Sequence, residues 1–367
     1  MSKNNEFSIN ESTLLKLLEE KKNSGFENKS WDEWLGWVFG SKSKTDSQQI
    51  MEKVVYDFFH KNDFDEWIGN FALNLNDIWN EPSARDLDPT NDESYDMTNH
   101  SAIVIGKGPS LKKNNHLQKL IESNYSGTII CTDGALINVL KSGVTPDLFP
   151  NFFVVTIEPY KIQATLYDDP IIEKFGTKIK GIFSTLTHPD AVSKARKNGI
   201  KIHWLHTLFD YNEGKKSINN ITSLMVRTKK NKGLPAIQTG GNVGTSCWFV
   251  GWKILGCSTI SLIGMNHGWE EDDPIETIMS HGQMFEAPKI DKQSELFKKL
   301  FPKVHNPEFN STCILDPIFQ YYSSALKEFI SRAPSEIRTI NATEGGSLFG
   351  EKIHCMPFTD FLKNFDQ

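Results

Sequence analysis

The chain predicts an α/β fold: a doubly wound, mostly parallel sheet with a helical N-terminal extension. Three observations carry this expectation. Short β-branched runs recur from residue 101 onward, helical stretches separate them, and residues 1–98 show helical periodicity instead. Runs that alternate with helices pair as parallel strands, and the helices then cover both faces of the sheet.

In the extension, Leu14, Leu15, Leu17 and Leu18 mark a first amphipathic segment. Ser30-Trp31-Asp32-Glu33 is a capping-box signature, and it opens a face made of Trp31, Trp34, Leu35, Trp37 and Val38. Two more helices are predicted over 50–59 and 64–78. A tryptophan stripe at this spacing reads as packed core in preference to a partner or membrane surface. Residues 82–100 are polar and turn-rich and suit a linker, which divides the chain into 1–98 and 99–367.

Beyond it the predicted strands are 102–105, 128–132, 152–157, 181–184, 201–205, 259–263 and 337–340, a Rossmann-like order of βα units. The insert from Trp269 to Asp316 is too long and polar for an ordinary connection, so it reads as a lid or acceptor-binding segment.

Composition narrows the function. With 38% apolar residues in 367, the chain can bury a large core. A net charge of −6 with scattered Lys and Arg argues against nucleic acid as a partner, since that needs a basic stripe. The five cysteines form no C-x-x-C pair and fit reduced, buried thiols. No apolar run reaches membrane-spanning length and no signal region opens the chain, so a cytoplasmic location is expected.

Ligands of open α/β sheets bind beyond the carboxyl ends of the strands. This chain loads those ends with polar and glycine residues. Gly106-Lys107-Gly108-Pro109-Ser110 follows the first strand, where glycines permit close approach and a helix start offers N–H groups to a phosphate. A structural turn would need the same glycines. Asp133-Gly134 follows the second strand and Glu158 the third. Each carboxylate is a candidate for a ribose hydroxyl, a base amino group or a divalent ion. Thr239-Gly240-Gly241-Asn242, with Gly244 and Thr245, forms a second glycine-rich helix start, and Asn266 follows the sixth strand. The two glycine-lined turns are expected to meet around one anionic donor. No dense acidic cluster, G-x-S-x-G elbow, H-E-x-x-H pair or Walker-A string is present, so no metal ligands are assigned. A Mg²⁺ shared with a nucleotide diphosphate is the one cofactor left open. Candidate catalytic bases are His281, His305 and Asp316, in or beside the insert; Asp316 also reads as a helix N-cap.

The strings GKGPSL, TDGAL, SGVTPDLF, TGGNVGTSCWFVGWKILGCSTISLIGMNHGW and NATEGGSLFG, in that order, resemble the 6-hydroxymethylpterin diphosphokinase MptE-like domain. That domain is shared with the Maf motility-associated glycosyltransferases, and the first and fourth strings also look like nucleotide-binding segments of bacterial CMP-sialic-acid sialyltransferases. The resemblance implies that Gly106 to Ser110, with Gly240, Gly241, Asn242, Gly244 and Thr245, surround a nucleotide. It also shows departures. Thr156-Ile157-Glu158-Pro159 stands where the pterin enzymes carry an acidic D-L-D-G type motif, and Asn266 stands where an aspartate is usual. Diphosphoryl transfer leans on Mg²⁺-binding carboxylates, whereas transfer from a CMP-type donor can proceed without a metal. The resemblance therefore implies a nucleotide-dependent glycosyltransferase with a nucleotide-sugar donor and a glycan or protein acceptor. The first alternative is a diphosphokinase using ATP, Mg²⁺ and a pterin acceptor. The second is a non-catalytic nucleotide-binding module.

Overall fold

The computed structural model describes residues 64–92, 94–208, 217–230, 233–280 and 301–365. The helical readings at Leu14–Leu18, Trp31–Val38 and 50–59 lie outside the described residues.

The described chain begins with α1 (Phe64–Asn80) and then enters a βα series. In order come β1 (Ser101–Ile105), α2 (Ser110–Lys113), α3 (His116–Ile121), β2 (Thr128–Thr132), α4 (Asp133–Lys141) and β3 (Phe152–Thr156). They are followed by α5 (Pro170–Phe175), β4 (Lys180–Ser184), α6 (Pro189–Lys197), β5 (Lys201–Thr207), α7 (Ile218–Arg227) and β6 (Ala236–Ile237). The second half holds α8 (Val243–Phe249), β7 (Thr259–Ile263), α9 (Ile275–Ser280), β8 (Lys303–Asn306), β9 (Ser311–Ile314) and α10 (Pro317–Arg332). It ends with β10 (Arg338–Asn341), β11 (Ile353–Cys355) and α11 (Phe358–Phe365).

Nine strands form one sheet in the order β11-β10-β7-β1-β2-β3-β4-β5-β6. Every neighbouring pair in it is parallel. All five residues of β1 are buried, and its alternate side chains feed two separate cores. Ile103 and Ile105 join the cluster on one face with Phe152, Phe183 and Trp204. Ala102 and Val104 join the cluster on the other with Trp248, Ile260 and Leu326. A strand with period-two side chains that is buried along its whole length can only sit between two helical layers. The chain winds outward from β1 to β6, then returns to the other side of β1 as β7. The order therefore reverses between β1 and β7, which makes their carboxyl ends the topological switch point.

The stretch 82–100 does not behave as a linker. Trp204 N–H donates to Pro82 O at 2.9 Å, Ser258 N–H donates to His100 O at 3.0 Å, and Ala84 is fully buried. Its polar residues serve local turns: Asp88, Asp92 and Asp96 accept from the backbone N–H groups of Thr90, Ser94 and Thr98. The polar composition that suggests a tether is spent on capping three turns.

Nor is α1 peripheral. Phe71 and Ile78 belong to the core, and two buried asparagines clamp the helix across the sheet edge. Asn70 Nδ2 donates to Pro159 O at 2.8 Å and Leu186 O at 3.0 Å; Asn74 Nδ2 donates to Thr187 O at 2.7 Å and Thr185 O at 3.3 Å. These carbonyls lie just beyond β3 and β4, so α1 closes that part of the edge. Asn74→Ala is expected to cost about 2 kcal/mol, two buried bonds' worth, read as a lower urea midpoint at unchanged slope.

The insert is an excursion pinched at its base. Trp269 and Ile314 exchange backbone hydrogen bonds of 2.8 Å in both directions, and Trp269 Nε1–H donates to Asp316 Oδ2 at 2.6 Å. Between them lie α9 and the antiparallel hairpin β8–β9. No helix among the described residues is long and apolar enough to cross a membrane.

Candidate functional site

The site builds up from the crossing of two loops at the switch point. Gly106 N–H donates to Ile263 O at 2.9 Å and Gly108 N–H to Gly264 O at 2.7 Å, so the loops after β1 and β7 are joined through backbone. A Cβ on Gly106 would stand 2.9 Å from Met265 Sδ, and one on Gly108 would stand 2.6 Å from Gly264 O. The room these glycines leave is filled by the neighbouring loop, not held open for a ligand. Ser110, 2% exposed, extends the join by donating its hydroxyl to Asn266 Oδ1 at 2.8 Å. The side chains that remain outward here are Lys107 and Pro109.

The second glycine-rich turn does reach the first. A Cβ on Gly244 would lie 2.5 Å from the Met265 sulfur that also abuts Gly106, so one thioether separates the two turns. They meet in space, as expected, but around Met265 and not around an open cradle. Gly240 and Gly241 have φ of +55° and +81°, a left-handed pair that turns the chain into the Asn242 cap. Asn242 Oδ1 accepts from Thr245 N–H at 2.8 Å, its Nδ2 donates to Thr245 Oγ1 at 3.0 Å, and Thr239 Oγ1 accepts from Gly241 N–H at 3.2 Å. Thr239, Asn242 and the buried Thr245 thus hold the turn itself. From outside, the rings of Tyr321 and Tyr322 on α10 press on Gly241, within 2.7 Å of a Cβ there.

Beside this crossing lies the carboxyl end of β2. Asp133 is 4% exposed; its Oδ1 accepts from Gly134 N–H at 2.7 Å, while Oδ2 is buried with no hydrogen-bond partner. Burial pushes the Asp133 carboxyl up to about 6, against the pull of the Gly134 N–H, the Thr156 hydroxyl and the Lys107 ammonium. The Lys107 stem lies 3.5 Å from where Gly134 would carry a Cβ. Glu158, half-buried beyond β3, helps to raise the Tyr322 phenol, which burial already holds well above its ordinary value. Lys107, Asp133, Gly134, Glu158 and the two glycine turns therefore share one sheet edge.

The candidate bases scatter. His281 lies outside the described residues. His305 is exposed on β8, with Nδ1 at 3.4 Å from Thr312 Oγ1. Asp316 is 2% exposed and caps α10: Oδ1 accepts from Phe319 N–H at 2.7 Å and Oδ2 from the Trp269 indole. Both its oxygens are committed to structure, so the cap reading prevails over the base reading.

Sequence reasoning missed Met265, Tyr321 and Tyr322. His267 sits in left-handed backbone (φ +43°) among Phe319 and Tyr322. Its Nδ1 is buried without a partner, and burial, reinforced by Lys327, lowers it to about 4. The tyrosine pair at the start of a capped helix was the one signal that could have been read.

A Mg²⁺ shared with a nucleotide diphosphate takes one or two protein carboxylates plus the phosphates, and Asp133 and Glu158 are the carboxylates this edge could offer it. Among the described residues no three His, Cys, Asp or Glu side chains come together as a metal cage of their own.

No curated protein sequence matches this chain. Among solved structures it is similar to the MAf glycosyltransferase from Magnetospirillum magneticum AMB-1, at 16% identity and a TM-score of 0.44. That match covers 73% of this chain and spans 36% of the other. A family model described as 6-hydroxymethylpterin diphosphokinase MptE-like matches residues 69–272, from inside α1 to the start of the insert. With more than half its length so matched, the chain belongs to the 6-hydroxymethylpterin diphosphokinase MptE-like family.

Proposed function

We propose that the chain is a nucleotide-dependent transferase, a glycosyltransferase that moves a sugar from a nucleotide-sugar donor, CMP-type favoured, to a glycan or protein acceptor. One observation carries the reading: Asp133 Oδ2 is a buried acceptor without a donor, beside the Lys107 ammonium, next to the switch point. A buried acceptor left bare costs stability unless a bound group supplies the missing donor. A base amino group or ribose hydroxyl supplies it, and Lys107 is placed for the phosphate of the same ligand. Glycosyl transfer then needs the leaving phosphate stabilised and the acceptor hydroxyl deprotonated. Lys107 serves the first need. With Asp316 committed to its cap, the second falls to a histidine of the insert, His305 or His281.

The family description favours a second reading, diphosphate transfer from ATP to a hydroxymethyl pterin. The departures at 156–159 and at Asn266, where carboxylates are usual, speak against it. Thermal-shift measurements with CMP, UDP, GDP, ATP and 6-hydroxymethylpterin separate the two. CMP at a hundredfold excess over its dissociation constant is expected to add about 2.7 kcal/mol. Asp133→Asn and Lys107→Ala should each weaken that response. If no nucleotide moves the transition, the transferase reading falls. AMP release dependent on both pterin and Mg²⁺ would replace it with the diphosphokinase.

A further inference from the structure

A polar cleft opens between α2, the loop after β7, strand β9 and the loop after β10. Several groups on its walls have capacity that the protein leaves unused. Ser311 Oγ is buried with no partner. Asn266 spends its Oδ1 on the Ser110 hydroxyl, and among the described residues no acceptor takes its Nδ2–H₂. Asn114 donates to Thr343 O at 3.3 Å, and among the described residues its Oδ1 accepts nothing. Trp269 forms one wall, its ring fixed because its N–H is tied to Asp316. Gly345 presents backbone alone: a Cβ there would stand 3.5 Å from the Ser311 hydroxyl. At the rim Lys113 and Glu270 pair at 2.8 Å, which cancels their charge.

We infer that this cleft holds the hydroxylated ring of a sugar. The inference rests on the transferase reading and names where that reaction's carbohydrate sits. Unused donors and acceptors face one space, beside an aromatic wall and a neutralised rim. Sugar hydroxyls both donate and accept, and the C–H face of the ring packs on an aromatic plane. A phosphate or carboxylate would meet the carboxylate of Glu344, which also lines the cleft.

The full chain tests this with two sets of probes. Methyl glycosides of galactose, glucose and mannose, followed by saturation-transfer NMR with and without CMP, report an acceptor ring. CMP-N-acetylneuraminate and UDP-N-acetylglucosamine, compared with CMP and UDP by thermal shift, report a donor ring. At least one set is expected to respond, and Ser311→Ala should weaken that response about threefold to tenfold, one neutral hydrogen bond. The same variant should keep or raise the melting temperature, because the lost hydroxyl has no protein partner, and should leave binding of CMP alone unchanged. Silence from both sets, or a response that Ser311→Ala does not alter, overturns the inference even where CMP binds. Displacement of a bound glycoside by 6-hydroxymethylpterin overturns it too, by assigning the cleft to a pterin. Glycoside binding without any nucleotide response keeps the cleft and removes the transferase reading instead.

Discussion

Gly106→Ala is expected to lower stability by about 3 kcal/mol or more, a large share of a typical domain's total. The added methyl would fall against the Gly264 carbonyl and 2.9 Å from Met265 Sδ. Neither yields cheaply, because Gly264 O already accepts the Gly108 N–H and Met265 is wedged between two turns. Gly69→Ala is the control. It lies in α1 with nothing within 4 Å of its added methyl, and should gain about 0.5–1 kcal/mol. Urea titration of both variants decides the matter. A Gly106→Ala protein as stable as its parent, yet deaf to nucleotide, would show that the glycine is there for the ligand and not for the crossing.

The second large effect is a pair of opposed pH dependences. The Asp133 carboxyl titrates near 6 when folded and near 4 when unfolded, so between those values the folded state holds more protons. Its contribution is greatest below about pH 4 and is lost as pH rises through 6, a change of roughly 3 kcal/mol. Asp133→Asn should therefore stabilise the ligand-free protein at pH 7 by up to that amount and give no gain at pH 3.5. His267 runs the other way. It titrates near 4 when folded and near 6.5 when unfolded, so its contribution is present at pH 7 and lost on acidification through 4, again roughly 3 kcal/mol. His267→Gln should flatten that acid loss. Denaturation curves at pH 4, 5, 6 and 7 should show the two variants diverging from the parent in opposite senses. Curves that stay parallel across that range would refute both assignments.

The sheet was legible because its signal is local. Each of the seven runs picked out by β-branching overlaps a parallel strand, since a short, mostly apolar run between turns has few other places to go. What escaped has weak local marks. β6 is two residues long, β11 is three, and β8–β9 lies in a polar insert. The stretch 82–100 misled because capping residues and tether residues are the same amino acids. The site divides along similar lines. Its glycines and strand-end carboxylates can be seen in the chain. What fills the space beside a glycine cannot, because Asn266 reaches Ser110 from 156 positions away. Asp133 could be named as a carboxylate at a strand end; its unsatisfied oxygen follows from burial, which no short window contains.

The pinched base of the insert has a corollary. A segment whose two ends already touch, held by the Trp269–Ile314 pair and the indole on Asp316, adds little closure entropy when it lengthens or shortens. A change of length between 270 and 313 is therefore expected to leave the sheet beneath intact.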